Sequence, residues 1–326
     1  MTAPLRVLLA GFGGLGTQDH QRRMYLPAFL AHPGFTVAAV AGDGPDDERT
    51  AAGLGVPYHD GLDAALAAGD AEVVSVCRPL GARAGAVEAA LRAGRHVLAD
   101  KPLAATAAEC DAIEAAARKS GTVCLPAHHH RFGQAVRSAA AALAGGRVGL
   151  PWNIQADFLA AGGDPCPDGE LANFGVYPVD VLQALTGLPV RRVHARLHGP
   201  AGAERSAVLL MDHDHGLTST VTVGRTPAAA DGPMAVHTYR VSGTSGVLTV
   251  DAAKPAATVR TAGARRGVWH GPDTVALLLT ELYQAITTGR PAEIGPADAG
   301  AALRVIEAAR RSAAAGAPVE TDGETG

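Results

Sequence analysis

Leu5-Arg-Val-Leu-Leu-Ala-Gly11-Phe-Gly13-Gly-Leu-Gly16 decides the fold. A short apolar run feeds straight into Gly11-x-Gly13-x-x-Gly16, the glycine spacing of a phosphate-cradling turn that follows a first strand. Gly11 permits the tight turn and Gly13 lets the backbone approach a pyrophosphate. Gly16 lets the next helix pack on the strand with its N-terminus facing the anion. The spacing therefore assigns Gly11, Phe12, Gly13, Gly14, Leu15 and Gly16 to a dinucleotide. In a chain with 40 glycines the pattern alone is weak, and a plain strand-to-helix turn is the competing reading. The strand in front of it gives it weight.

Working outward, strands are predicted at 6–10, 36–41, 73–77, 96–99 and 122–125. Helical patterns fall at 22–31, 46–53, 62–67, 83–93 and 107–119. Strand alternating with helix means a parallel, doubly wound sheet. After Arg131 the pattern changes. A helix at 135–143, a strand at 154–159 and a helix at 179–186 are followed by strand-like runs at 192–198, 207–211, 217–223, 236–241 and 246–250. Runs without intervening helices predict an antiparallel sheet with one face on helices and one face open. Helices at 274–287 and 297–314 finish the chain.

At 326 residues two domains are the default. The apolar fraction of 47% fills both cores, and a net charge of −4 with no basic tract argues against nucleic acid or an anionic membrane as partner. The four cysteines, 77, 110, 124 and 166, form no C-x-x-C pair, so neither zinc nor a redox dithiol is indicated. Cys77 and Cys124 lie in apolar runs and read as small core residues. The apolar run at 7–10 is too short for a secretory leader, and no stretch reaches the roughly 18–20 apolar residues of a membrane span. A cytoplasmic protein is expected. Asp212-His-Asp-His215 before Gly216 reads as a solvated hairpin turn rather than a metal site.

Gly94-Arg-His-Val-Leu-Ala-Asp100-Lys101-Pro102-Leu resembles the "AGKHVLxEKPL" segment of the Gfo/Idh/MocA oxidoreductases. Asp70-Ala-Glu-Val-Val-Ser-Val-Cys77-Arg78-Pro79 resembles the family's strand beside the nicotinamide ribose. His129-His130-Arg131-Phe132 resembles its "RF" segment, and Asn173-Phe-Gly175-Val-Tyr177-Pro-Val-Asp180 its "DxGxHxxD" helix start. Thr288-Gly-Arg-Pro291 and Ala302-Leu-Arg-Val-Ile-Glu-Ala resemble its C-terminal helices, so the resemblance runs along the whole chain.

The resemblance implies an N-terminal Rossmann domain over 1–127 and a substrate-binding, oligomer-forming α+β domain over 128–326, assembled as a dimer or tetramer. It implies hydride transfer between NAD or NADP and a secondary alcohol or ketone of a sugar, cyclitol or related polyol. Lys101, held at a strand end before Pro102, donates to a substrate oxygen and lowers a neighbouring phenol's pKa. Tyr177, where the family usually has His, supplies the proton that an alkoxide needs. Asn173, Asp180, His129 and His130 are the candidates for holding substrate hydroxyls. Gly42, Asp43, Cys77, Arg78, Pro79, Asp100 and Lys101 complete the cofactor set, with Asp100 at the family's Glu position orienting the ammonium. Three consecutive histidines, 128 to 130, on an extended segment would point to alternate faces and make no metal site.

Several positions depart from the family. Asn173 stands where Asp is usual and cannot take a proton. Gly42 takes the usual place of the ribose-binding Asp, with Asp43 next and Arg49 further on, which leaves NAD and NADP both open. Residues 17–25 make a longer connection than usual, either extending the first helix or looping over the site. Pro79-Leu80-Gly81-Ala82-Arg83 replaces "PNxxH". The alternatives are a reductase of C=N or C=C bonds and a nucleotide-binding sensor without turnover.

Overall fold

The computed structural model describes residues 3–16, 18–162, 165–200, 202–226, 234–253, 257–260, 265–269 and 273–322. Thr17, the first residue of the long connection, lies outside them. The chain divides into two compact units, Met1–Ala127 with Val275–Gly300, and His128–Thr274 with Ala301–Gly326.

The first unit alternates β1 Leu5–Ala10, α1 Leu26–Ala31, β2 Phe35–Gly42, α2 Pro45–Leu54, β3 Tyr58–Asp60, α3 Leu62–Ala68, β4 Val73–Val76, α4 Leu80–Arg92, β5 His96–Ala99, α5 Ala107–Ser120 and β6 Cys124–Pro126. The six strands are ordered β3-β2-β1-β4-β5-β6, and every pair is parallel. Helices on both faces bury these strands, so Val7, Leu8, Leu9 and Ala10 have almost no exposed surface. The order reverses between β1 and β4, and ligands of such sheets bind at the carboxyl ends beside that switch point. Local signals set the helix ends. Thr106 and Glu109 form a capping box at the start of α5, and Gly121, at φ 68°, ends it.

Two expectations are corrected here. No helix follows Gly16 directly. The chain instead passes through 18–20 into a single π-type turn, Gln21–Tyr25, which runs on into α1. The long connection thus both extends the helix and displaces its start from the glycine turn. The three-residue strand β3 was not predicted, since Tyr58-His-Asp is too short and polar to show a period.

The second unit holds α6 Gln134–Ala144, β7 Pro151–Ala161, α7 Val176–Thr186, β8 Val190–His198, β9 Ser206–His213, β10 Thr218–Thr226, β11 Met234–Gly243, β12 Gly246–Asp251 and a separate hairpin of β13 Ala257–Arg260 and β14 Arg265–Trp269. Then come α8 Thr274–Thr288, α9 Pro296–Ala315 and β15 Val319–Glu320. The main sheet is ordered β12-β11-β7-β10-β9-β8-β15. It is antiparallel except for β7 and β10, which pair in parallel over nine residues. Helix α7 carries the chain away from β7, and the β8–β9–β10 meander returns to meet it in the same direction. That crossover makes the sheet mixed, where a run of strands alone predicts pure antiparallel pairing. Alternation along β9 buries Ala207, Leu209 and Met211 and exposes Val208 and Leu210. Asp214–Gly216 is the hairpin connection from β9 to β10; Asp214 pairs with Arg191, and Asp212 at the end of β9 pairs with Arg192. Among the described residues no helix is long and apolar enough to cross a membrane.

Helix α8 belongs to the first unit. Its Tyr283 packs against His32 and Phe35, with ring centroids 5.5 and 5.7 Å apart.

Candidate active site

The glycine turn leaves the carboxyl end of β1 with Gly11 at φ 83° and Gly16 at φ 58°, conformations that other residues adopt only with strain. A Cβ on Gly13 would come within 3.0 Å of the Pro79 ring, and one on Gly14 within 2.5 Å of the Gln18 carbonyl. Phe12 and Leu15 are buried, and the Arg22 guanidinium lies 4.0 Å over the Phe12 ring. The turn is therefore bare backbone at the sheet edge, which fits a pyrophosphate.

At the end of β2 the space above Gly42 is filled by the Asp47 carboxylate, which also accepts from the Asp43 amide at 3.3 Å. Asp47 pairs with Arg22 at 2.9 Å, Asp43 with Arg78, and Asp46 with Arg49. The carboxylate that the family usually carries on the strand is here delivered from α2.

Lys101 follows β5, joined to Pro102 by a cis peptide bond, and is 2% exposed. Its ammonium donates to Gln18 Oε1 at 3.5 Å. Asp100, just before it, is fully buried. Its carboxylate is held by three side chains. Oδ1 accepts from Tyr25 at 2.6 Å and from His20 Nδ1 at 2.9 Å, and Oδ2 accepts from Arg83 at 3.2 Å. Burial alone would raise the Asp100 carboxyl. The charges of Arg83 and His20, a hydrogen bond from His20 and the charge of Lys101 overcome this and hold it well below the ordinary carboxylate range. Arg83 is itself fully buried, and its guanidinium also donates to the carbonyls of Arg78 and Pro102. It thus ties the end of β4 to the segment carrying Lys101. Cys77 is buried beside this network, and burial together with the Asp100 charge pushes its thiol far up.

In the second unit the π-type turn Leu171–Gly175 leads into α7, and Tyr177 lies in the first turn, 5% exposed. The phenol ring stacks on Phe158 at 5.6 Å and meets His130 edge-on at 4.4 Å and His129 at 5.4 Å. His129 and His130 are not on opposite faces as an extended segment requires. They lie on a 3-10 turn, His129–Phe132, which sets their rings 4.2 Å apart. His129 Nδ1 bonds Thr274 Oγ1 at 2.7 Å, and His130 also meets His237 at 4.8 Å.

The other two hydroxyl-binding candidates are anchored to protein. Asn173 is fully buried and donates to Glu170 Oε2 at 2.9 Å, and Glu170 in turn holds Arg225. Asp180 is buried too. Arg131 grips it through two bonds, at 3.0 and 2.5 Å, and His128 Nδ1 lies 3.2 Å away. Burial opposes ionisation there, but the His128 and Arg131 charges win and keep the carboxyl below its usual range.

The residues fall into two groups. Glycine turn, Asp43, Asp47, Cys77–Pro79, Asp100 and Lys101 belong to the first unit. Tyr177 with His129, His130 and Phe158 belongs to the second. Sequence reasoning missed His20, Tyr25 and Asp47, and noted Arg83 only as a substitution. An Arg in an alanine-rich helix reads as solvent-facing, and nothing local marks it as the partner of a residue 17 positions on.

Comparison with known proteins gives the same picture. A family model described as "Oxidoreductase family, NAD-binding Rossmann fold" matches residues 5–128, and one described as "GFO/IDH/MocA C-terminal domain" matches residues 136–249. A dTDP-3,4-didehydro-2,6-dideoxy-alpha-D-glucose 3-reductase of Streptomyces violaceoruber is 33% identical over 265 residues, 77% of this chain and 75% of that protein. A D-xylose 1-dehydrogenase (NADP(+)) of Haloferax volcanii is 28% identical, covering 95% and 99%. The crystal structure of GenD2 from gentamicin A biosynthesis, in complex with NAD, superposes with a TM-score of 0.85 at 24% identity, covering 98% and 97%.

Proposed function

The chain belongs to the GFO/IDH/MocA oxidoreductase family, and from that membership we propose that it moves a hydride between a nicotinamide cofactor and a secondary alcohol or ketone of a sugar, cyclitol or related polyol. One observation carries the reading. A buried lysine sits at the carboxyl end of β5, in the same unit as a side-chain-free glycine turn, and a buried Arg83–Asp100 pair anchors the segment that bears it. A nicotinamide held in the first unit would exchange the hydride. The protein's own part is the proton. The Lys101 ammonium donates to the reacting oxygen and favours its anionic form. The Tyr177 hydroxyl handles the proton on that oxygen.

His129, His130 and Phe158 give the ring faces against which a sugar can pack, and His130 is partly exposed. Asn173, just before α7 and bonded to Glu170, and Asp180, on α7 and bonded to Arg131, brace the start of that helix. We assign the nucleotide to residues 1–127 and the substrate to 128–326. The substrate class follows the relatives, one acting on a dTDP-linked deoxysugar and one on a pentose. Trp152, Val208, Leu210 and Val247, exposed on the strands of the second sheet, fit a homo-oligomer interface. Four free, buried cysteines fit a reducing compartment, the cytoplasm.

The test is cofactor oxidation or reduction on a panel of ketosugars, aldoses and inositols. Lys101→Ala and Tyr177→Phe each lower kcat by roughly a hundredfold or more while NADH affinity stays within about threefold. A protein that binds NADH or NADPH tightly yet turns over nothing in a Lys101-dependent way refutes the proposal.

A further inference from the structure

Burial alternates along β11. His237, Tyr239 and Val241 are buried on one face, while Thr238 and Arg240 on the other are not. The buried face of a strand ordinarily takes apolar side chains, and an imidazole there costs free energy unless it is hydrogen-bonded. His237 is 3% exposed, and its Nε2 lies 3.0 Å from the Tyr239 hydroxyl, so one hydrogen bond joins the two rings. Burial pushes the imidazole down to about 4 against the charge of Asp251, and burial pushes the Tyr239 phenol up. Both groups are therefore neutral around pH 7, and they bring shape rather than charge to their neighbours.

Those neighbours belong to the site. The His237 ring centroid lies 4.8 Å from that of Phe158, its partner across β7, at an interplanar angle of 62°. It lies 4.8 Å from that of His130 at 88°. His130 is in turn edge-on to Tyr177 at 4.4 Å and 82°, and Phe158 stacks on Tyr177 at 5.6 Å. Near-perpendicular rings set a positive edge against a negative face, so each resists turning while the other stays. Two of the rings around the Tyr177 phenol thus rest on one imidazole, and Tyr239 fixes the angle of that imidazole.

We propose that His237 is a positioning residue, whose ring holds His130 and Phe158 in the arrangement that receives the sugar beside Tyr177. The proposal rests on the oxidoreductase reading above. Losing the ring should weaken substrate binding more than it slows the chemistry, because Lys101 and the Tyr177 hydroxyl stay in place.

Steady-state kinetics on any carbonyl that the wild type reduces, with thermal melts of each variant, tests this. His237→Leu alone leaves the buried Tyr239 hydroxyl without its partner and should lower the melting temperature. Adding Tyr239→Phe removes that hydroxyl. The doubles His237→Leu/Tyr239→Phe and His237→Phe/Tyr239→Phe then differ only in whether position 237 carries a ring. The leucine double should raise KM roughly tenfold with kcat within about threefold, and the phenylalanine double should return KM to within about threefold of wild type. Both should bind NADH within about twofold of wild type, since the nucleotide is assigned to the first unit. If the leucine double does not fold, Tyr239→Phe carries the test: it keeps the imidazole but frees it to turn, and KM should rise about threefold. Equal KM values in the two doubles overturn the proposal and leave the oxidoreductase reading standing. So does a KM that follows the melting temperature instead of the ring, or an unchanged KM where Tyr239→Phe is the test. A wild type that reduces no carbonyl on the panel overturns both.

Discussion

Replacing Arg83 by Met removes one half of a fully buried ion pair while keeping most of the side-chain volume. Asp100 then retains its bonds from Tyr25 and His20 but loses the cation 3.2 Å away, and the carbonyls of Arg78 and Pro102 lose a donor. Removing one partner of a buried pair costs about 3–5 kcal/mol, because the other charge is left desolvated. The pH dependence separates this cause from lost packing. In the wild type the Asp100 carboxyl lies below its unfolded value of about 3.9. Its stabilisation is complete above that pH and is lost only as pH falls through the folded value. In Arg83→Met burial dominates and the carboxyl rises above the unfolded value. The folded state then holds the proton longer than the unfolded one, and stability falls as pH rises, by about 1.4 kcal/mol per unit until the new folded value is passed. The deficit should therefore be smaller at pH 5 than at pH 8, and Arg83→Met/Asp100→Asn should recover part of it at pH 8. Urea unfolding followed by far-UV circular dichroism is the assay, since both tryptophans, Trp152 and Trp269, lie in the other unit. A loss below about 1 kcal/mol, or an equal loss at both pH values, refutes the reasoning.

Cofactor choice and assembly can be predicted in the same terms. Near the end of β2, Arg22 is paired with Asp47, Arg78 with Asp43 and Arg49 with Asp46, so a 2′-phosphate meets these carboxylates beside each guanidinium. NADH should bind roughly tenfold more tightly than NADPH by calorimetry, and Asp47→Asn should narrow the gap; NADPH binding as tightly as NADH would contradict it. On the open face of the second sheet, Val208→Asp with Leu210→Asp should shift the mass measured by light scattering to that of one chain, and an unchanged oligomer would place the interface elsewhere.

What the sequence made legible follows from how each role is fixed. The glycine turn needs particular backbone conformations, and only glycine types supply them, so Gly11 to Gly16 announce themselves. Lys101 sits at the end of an apolar run and before a proline, and both signals are adjacent to it. Tyr177 lies at a recognisable helix start, although the π-type turn before it could not be seen, since a one-turn change of period leaves no pattern in five residues. The histidines at 128–130 were misread for the same reason: a 3-10 turn and an extended segment of four residues look alike until the rings are placed. Asn173, just before α7, and Asp180, on it, were legible as polar positions, but their bonds to Glu170 and Arg131 were not, and Arg131 lies 49 residues from Asp180.

The network around Asp100 was the least legible part, and its parts explain one another. Three departures from the family pattern looked independent: Asp for Glu at 100, Arg83 for the last residue of "PNxxH", and the longer connection through 17–25. All three end on one carboxylate. Asp is one methylene shorter than Glu, so its oxygens stay close to the strand end and deep in the core, where a lone charge is costly. A buried Arg compensates it electrostatically, and its five donors are satisfied by the Asp100 carboxylate and the carbonyls of Arg78, Asp100 and Pro102. The remaining carboxylate oxygen needs donors from outside the sheet, and only an added stretch of chain can bring them. Tyr25 and His20 arrive on that stretch. The added length is thus the structural counterpart of the shortened acid, and a chain with either change alone would leave a buried polar group unpaired.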